Sequence, residues 1–180
     1  MISSLGAWNI NVVTGGLPEK LATAFVELLG ELKGAEYTPI AYLGTQVVNG
    51  INHAVLAKQT IIAGKDIENI VVVIFHEAGE TFTLEGIERV VEGNAQPGGI
   101  FIEDNPLEIP AEAKVVFEAE ISHFLGSSVK PFALLGTQVT TGTDYIFAAE
   151  VTPTTADPVK KVATVAVNVL NNTILFDSIL

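Results

Sequence analysis

The chain contains no cysteine. That removes disulfides, thiolate nucleophiles and cysteine-ligated metals together. Cations are scarce: nine Lys and Arg stand against 21 Asp and Glu, for a net charge of −12. Neither half carries a basic stripe, so nucleic acid is excluded as a partner on electrostatic grounds. An anionic membrane surface repels both halves as well. No apolar stretch is long enough to span a bilayer. Met1–Gly6 lacks a basic region followed by an apolar run, so no secretory signal is read and a cytoplasmic location is expected. Only three histidines occur, His53, His76 and His123, and none has metal-ligand spacing. Gly15-Gly16 lacks the lysine of a phosphate-binding loop. Ser3-Ser4 and Ser127-Ser128 have no identifiable base. The expectation is a non-enzyme with no cofactor and no metal.

What the chain does have is itself, twice. Pro39-Ile40-Ala41-Tyr42-Leu43-Gly44-Thr45-Gln46-Val47 recurs 92 residues later as Pro131-Phe132-Ala133-Leu134-Leu135-Gly136-Thr137-Gln138-Val139. The same offset pairs Gly6 with Gly98, Pro18 with Pro110, Phe25 with Phe117, Gly34 with Gly126 and Gly50 with Gly142. A period this long exceeds that of solenoids and propellers, and indicates tandem domains. Residues 1–93 form the first and 94–180 the second. The acidity divides evenly, with five basic and eleven acidic residues in the first and four and ten in the second.

Each half reads as strand, helix, then four strands. Trp8, Ile10 and Val12 alternate with Asn9 and Asn11, the period of a half-buried strand. After Gly15-Gly16, Pro18 opens a helix whose apolar face is Leu17, Leu21, Phe25, Leu28 and Leu32. In the second half Pro110 opens a helix with Ile109, Ala113, Phe117, Ile121 and Phe124 on that face, and His123 sits late in it. Residues 39–48 and 51–60 are strands joined at Asn49-Gly50, a strong hairpin signal. Thr141-Gly142 is the second joint. Strands at 67–75 and 81–90 follow, turning at His76-Glu77-Ala78-Gly79-Glu80. Their counterparts are 159–169 and 173–179, turning at Leu170-Asn171-Asn172. One helix with one apolar stripe and a sheet with one apolar face are expected to pack by the sheet wrapping the helix.

This order, with Gln46-Val47-Val48-Asn49-Gly50 in the first hairpin, resembles the cystatins. Their signature there is Q-x-V-x-G, which this segment matches in full, and Asn52 matches the asparagine that often follows. Gln138-Val139-Thr140-Thr141-Gly142 matches with Thr140 in place of valine. The fold class so implied is α+β, two tandem cystatin-like domains, each one helix wrapped by a curved antiparallel sheet. The function implied is inhibition of a papain-like cysteine protease by a wedge that fills its cleft. Gln46, Val47, Val48, Asn49 and Gly50 would be the contact loop and Gly6 the N-terminal arm, with Gln138, Val139, Thr140, Thr141 and Gly142 a second edge. The family's Pro-Trp in the second hairpin is missing from both halves. The alternative is a non-inhibitory interaction or structural module that keeps the scaffold without the wedge. Self-association by strand exchange is open to either.

Overall fold

The computed structural model describes residues 6–62, 67–168, 170 and 173–180. It is an α+β protein that divides into two compact units, Met1–Glu92 and Gly93–Leu180. The division falls one residue before the boundary read from the repeat.

Unit 1 runs β1 (Trp8–Val13), α1 (Glu19–Gly30), β2 (Ala35–Val48), β3 (Gly50–Ile61), β4 (Ile67–Ala78) and β5 (Thr81–Glu92). Its five strands form an antiparallel sheet in sequence order, β1-β2-β3-β4-β5. Unit 2 runs β6 (Ile100–Ile102), α2 (Ala111–Ile121), β7 (Ser127–Thr140), β8 (Gly142–Pro153), β9 (Lys161–Asn168) and β10 (Thr173–Ser178). Its sheet has the same order, β6-β7-β8-β9-β10. The turns read at 63–66 and 171–172 lie outside the described residues.

The repeat extends to irregularities of the backbone. The β2–β3 register shifts between Pro39 and Ala41 and again between Tyr42 and Gly44. The β7–β8 register shifts between Pro131 and Ala133 and between Leu134 and Gly136. Each shift marks a bulge that bends its strand. The prolines are tolerated because β1 stops short of Pro39, so its missing N–H leaves no ladder bond unmade. Gly44 and Gly136 answer to a close approach. A Cβ at Gly44 would strike the Asn9 carbonyl oxygen, and one at Gly136 would lie 2.6 Å from that of Phe101. The first strand of each unit can cross at that point only over a residue without a side chain.

The helices begin at the prolines, with Pro18 and Pro110 as N-caps. Leu21, Phe25 and Leu29 of α1 pack with Tyr42, Val55, Val71, Val73 and Phe75 of the sheet. Leu29 thus takes the place expected for Leu32, which is 36% exposed beyond the helix end. In unit 2, Ala113 and Phe117 pack with Leu134, Phe147, Val165 and Val167. The Phe117 ring meets Phe147 edge-on at 4.8 Å. Two expectations are corrected at the end of α2. It stops at Ile121 with Ser122 as its cap, so His123 and Phe124 follow the helix rather than belong to it. Phe124 instead packs its ring against Phe176 of β10, 4.7 Å away.

The expectation of a single apolar sheet face is also corrected. Ala41, Ala54, Leu56, Ile70 and Val72 alternate with the helix-facing residues and are buried as well. Ala133, Ile146, Ala148, Val162 and Thr164 do the same in unit 2. The strands' centres are therefore almost continuous apolar runs, broken by Thr164 in β9, as expected of strands buried on both faces.

Candidate functional site

The register of unit 1 brings three chain segments to one end of its sheet. The tightest is the β2–β3 hairpin, where Val48 pairs with Gly50 and Asn49 alone makes the tip. Next to it, the N–H of Gly6 donates to the Val47 carbonyl at 3.1 Å, which lays the N-terminal segment along β2. On the other side is the β4–β5 hairpin, where Ala78 pairs with Thr81 across Gly79-Glu80. Gly50 has φ +115°, and a Cβ there would come within 2.5 Å of the Glu77 carbonyl and 2.7 Å of the His76 ring. Only glycine lets the two hairpins stand this close. Val47 and Ile51 present exposed apolar side chains beside the tip.

The sequence places His76 and Glu77 in the turn between the strands at 67–75 and 81–90. They lie in β4, which continues to Ala78 because Gly79, at φ +65°, makes a turn of two residues. This lengthening builds two polar rows, one on each face of the sheet.

The first row is on the face away from α1. Gln46 donates its Nε2–H to the Gly6 carbonyl at 2.8 Å and accepts at Oε1 from Asn52 Nδ2 at 2.9 Å. Asn52 Oδ1 lies 2.8 Å from Nδ1 of His76. Four segments are joined in succession: the N-terminal segment, β2, β3 and β4. Both ends of the Gln46 amide are thereby satisfied within the unit.

The second row is on the helix face. The Tyr42 hydroxyl lies 3.0 Å from His53 Nδ1, and His53 Nε2 lies 2.8 Å from Glu77 Oε2. An ionised carboxylate can only accept, so Nε2 carries a proton and the Nδ1 of a neutral ring accepts from Tyr42. The Phe82 ring closes over the imidazole at 5.8 Å. Burial, and secondarily the Glu77 charge, raises the Tyr42 pKa above the ordinary 10.0. Tyr42 is thus held as a neutral donor rather than prepared as a nucleophile. The side chains of His53 and Glu77 are 12% and 25% exposed, so the row is mostly enclosed.

Unit 2 keeps half of this. Gln138 Nε2 donates to the Gly98 carbonyl at 2.8 Å, the same bond between equivalent residues. Thr140, Thr141 and Gly142 form the equivalent tip, and Val139 is 73% exposed there. Beyond Gln138 the rows diverge. Asp144 stands in place of Asn52 and Asn168 in place of His76. The Asn168 amide donates to Asp144 Oδ1 and to Thr140 Oγ1, the latter at 3.2 Å. The residues of the helix-face row are not repeated: Leu134, Tyr145 and Val169 occupy the positions of Tyr42, His53 and Glu77 in sequence.

Of the site residues read from sequence, Gly6 lies with Gln46–Gly50 in unit 1, while Gln138–Gly142 form one hairpin in unit 2, to which the structure adds Gly98. Tyr42, His53, His76 and Glu77 carry no motif in sequence that marks them as a constellation. Asn52 and His76 are equidistant from the β3–β4 connection, and that was the one available signal.

Elsewhere, a groove of about 670 Å³ lies between α1 and the β4–β5 tip, lined by Glu19, Glu27, Leu28, Glu80 and Phe82 among others. Lys20, Thr23 and Thr81 line it as well. Among the described residues, no three His, Asp or Glu side chains are grouped to hold a metal ion. No helix among them is long and apolar enough to cross a membrane. No family model matches the chain, and neither a curated protein nor a solved structure is found to be similar to it.

Proposed function

We propose that this chain is a non-catalytic binding protein that works through the hairpin end of its sheets, and most concretely an inhibitor of papain-like cysteine proteases. The observation that carries the reading is the alignment of Gly6, the Val48–Gly50 tip and the Ala78–Thr81 tip side by side in unit 1. Such an edge is narrow and preformed, so little ordering opposes its docking into a cleft. Val47 and Ile51 supply apolar surface at the edge. The cystatin-like order of elements and the Gln46–Gly50 motif support the same reading.

A second reading is favoured by one specific observation. The Gln46 and Gln138 amides are each bonded to a glycine carbonyl of their own unit. The repeated glutamine then serves the scaffold, and the chain is a non-inhibitory interaction module. Gly79-Glu80, with Glu77 beside it, also makes an acidic second hairpin and a poor apolar wedge.

Titration of the whole chain against active papain separates the two. Val47→Asp is the informative variant because Val47 is 43% exposed and its loss leaves the core intact. Substitution of Gly50 would instead push on Glu77 and His76 and blur the result. Stoichiometric inhibition, weakened at least tenfold by Val47→Asp, supports the wedge. No inhibition at micromolar protein supports the interaction module.

A further inference from the structure

β2 is an inner strand over only part of its length. β1 pairs with it from Tyr42 to Gln46, and residues 35–39 have no neighbour on that side among the described residues. The ladder to β3 fixes which backbone groups face the gap. Ile62 donates its N–H to the Gly34 carbonyl at 2.9 Å, so these two are a bonded pair. Bonded pairs alternate along an antiparallel ladder, so Glu36 with Thr60 and Thr38 with Lys58 are bonded pairs too. Ala35, Tyr37 and Pro39 therefore turn their main-chain groups away from β3. The gap receives the N–H groups of Ala35 and Tyr37 and the carbonyls of all three, since Pro39 has no N–H. Residues 35–39 also form one wall of a groove of about 530 Å³ whose other wall is α1. Leu17, Phe25, Val26, Leu29, Leu32 and Tyr37 line it, and Val26 is 71% exposed. The Tyr37 wall is fixed: its hydroxyl accepts from Gln59 Nε2 at 3.0 Å, and Gln59 Oε1 accepts from Asn69 Nδ2 at 3.1 Å. A wall held in this way needs little ordering when something docks on it.

We propose that this groove takes an extended peptide segment of a partner protein, added to β2 as a further strand, with apolar side chains at alternate residues in the groove and a lysine or arginine at the end by Gly30. An extended strand is what the open edge specifies, because it presents main-chain donors and acceptors at the matching spacing. Residues 35–39 span about 16 Å, which sets a segment of about five to seven residues. The charge of its end follows from α1. That helix stops beside the groove at Gly30 with no basic residue in its last turn, so its negative pole is uncompensated there. Along residues 30–36 two carboxylates, Glu31 and Glu36, stand against one cation, Lys33. Unit 2 is the internal comparison. Thr154 donates to the Gly126 carbonyl at 2.9 Å, so Ser127, Val129 and Pro131 face outward in the same way, but Glu118 and Ser128 stand where unit 1 has Val26 and Glu36. The edge is thus common to both units and the apolar, acid-ended groove belongs to unit 1. It lies at the opposite end of β2 from the Val48–Gly50 tip, so it does not rest on the inhibitor reading.

The test uses the whole chain and short blocked fluorescent peptides with Val, Leu or Phe at alternate residues, Thr between them and Lys at one terminus or the other, read by anisotropy. Micromolar binding is expected. Val26→Gln removes apolar surface at an exposed helix position without adding charge, and should weaken it about fivefold. Exchanging the peptide's Lys for Gln should weaken it about two- to fivefold at low salt. In the ¹⁵N-labelled chain the Ala35 and Tyr37 amides should become protected from hydrogen exchange in the complex. Backbone N-methylation of alternate peptide residues tests the added strand: one frame should abolish binding and the other preserve it, because successive N–H groups point to opposite edges. No binding by any probe at millimolar peptide overturns the proposal, as does binding indifferent to Val26→Gln or to the methylation frame. Sedimentation of the chain alone should show a monomer. A dimer dissociated by Val26→Gln would make the occupant a second copy of this chain and overturn the choice of a foreign peptide. All of these readouts are independent of the papain titration, whose failure would leave the groove standing.

Discussion

Transplanting the apolar residues of unit 2 into the helix-face row of unit 1 sets the cost of one broken bond against the cost of replacing the whole row. The substitutions are Tyr42→Leu, His53→Tyr and Glu77→Val, singly and together. Glu77→Val alone leaves His53 Nε2–H without its acceptor, on a side chain only 12% exposed. An unpartnered, nearly buried donor costs about 1–3 kcal/mol. Tyr42→Leu leaves Nδ1 without its donor and removes ring contacts from the core, for about 2 kcal/mol. His53→Tyr strands both partners and should cost about 2 kcal/mol. The sum of the singles is then roughly 6 kcal/mol, of the order of a small domain's whole stability. The triple variant removes every member of the polar row together, and the one polar group it brings in is the phenol hydroxyl at position 53, as in unit 2. It should lose no more than about 1–2 kcal/mol, because replacing all members of a polar row by apolar groups is close to neutral. Urea unfolding at pH 7 followed by tryptophan fluorescence is the assay. Trp8 is the sole tryptophan and lies in β1, so the signal reports unit 1. A triple variant as unstable as the summed singles would refute the reasoning.

Three further outcomes follow from individual residues. Phe117→Ala removes a ring that is 2% exposed and packed on Phe147, and should cost unit 2 about 3–5 kcal/mol in chemical denaturation followed by circular dichroism. Tyr42 favours its neutral form in the fold, since burial and then Glu77 raise its pKa above 10.0; its contribution is therefore complete below that pH and is lost as pH rises beyond it. Unit 1 of the parent should weaken more steeply above pH 10 than the Tyr42→Phe variant, read by Trp8 fluorescence. Glu103 has its pKa raised by burial and then by Asp104, so the fold is favoured by its protonated form and loses that advantage as pH rises through the carboxylate range. Glu103→Gln should raise the calorimetric melting temperature at pH 7 and leave it nearly unchanged at pH 4.

Much of the architecture was legible because local signals agreed. Asn49-Gly50 and Thr141-Gly142 locate the first hairpins, Pro18 and Pro110 the helix starts, and the 92-residue offset the duplication. What escaped depended on strand pairing. The sequence ends the third strand at Phe75, because His76-Glu77-Ala78-Gly79-Glu80 is polar and contains glycine. A two-residue turn needs only Gly79-Glu80, so the preceding residues stay in the ladder. Once Asn52 pairs with His76, and Ile51 with Glu77, both polar rows exist, but that register is set by the β3–β4 connection. The burial of both sheet faces escaped for a related reason. Runs such as Ala54-Val55-Leu56-Ala57 and Ile70-Val71-Val72-Val73 carry no alternation, and periodicity cannot assign a continuous apolar run to a half-exposed strand.

What the two units keep and what they change separate scaffold from specialisation. Gly44 and Gly136 are kept because a crossing strand leaves no room for a Cβ. Gln46 and Gln138 are kept with Gly6 and Gly98, because each amide ties its arm to its hairpin. These residues account for the most visible part of the repeat, Leu-Gly-Thr-Gln-Val, by folding alone. The rows beyond them differ at every position: Tyr42, Asn52, His53, His76 and Glu77 in unit 1 become Leu134, Asp144, Tyr145, Asn168 and Val169 in unit 2. A fold that closes over Leu134 and Tyr145 has no structural need of Tyr42, His53 and Glu77. Tyr42, His53 and Glu77 therefore belong to unit 1 alone and not to the scaffold the two units share. If one unit alone engages a partner, it is the one whose hairpin end carries both histidine rows, and a Val47→Asp variant should lose that partner while Val139→Asp retains it.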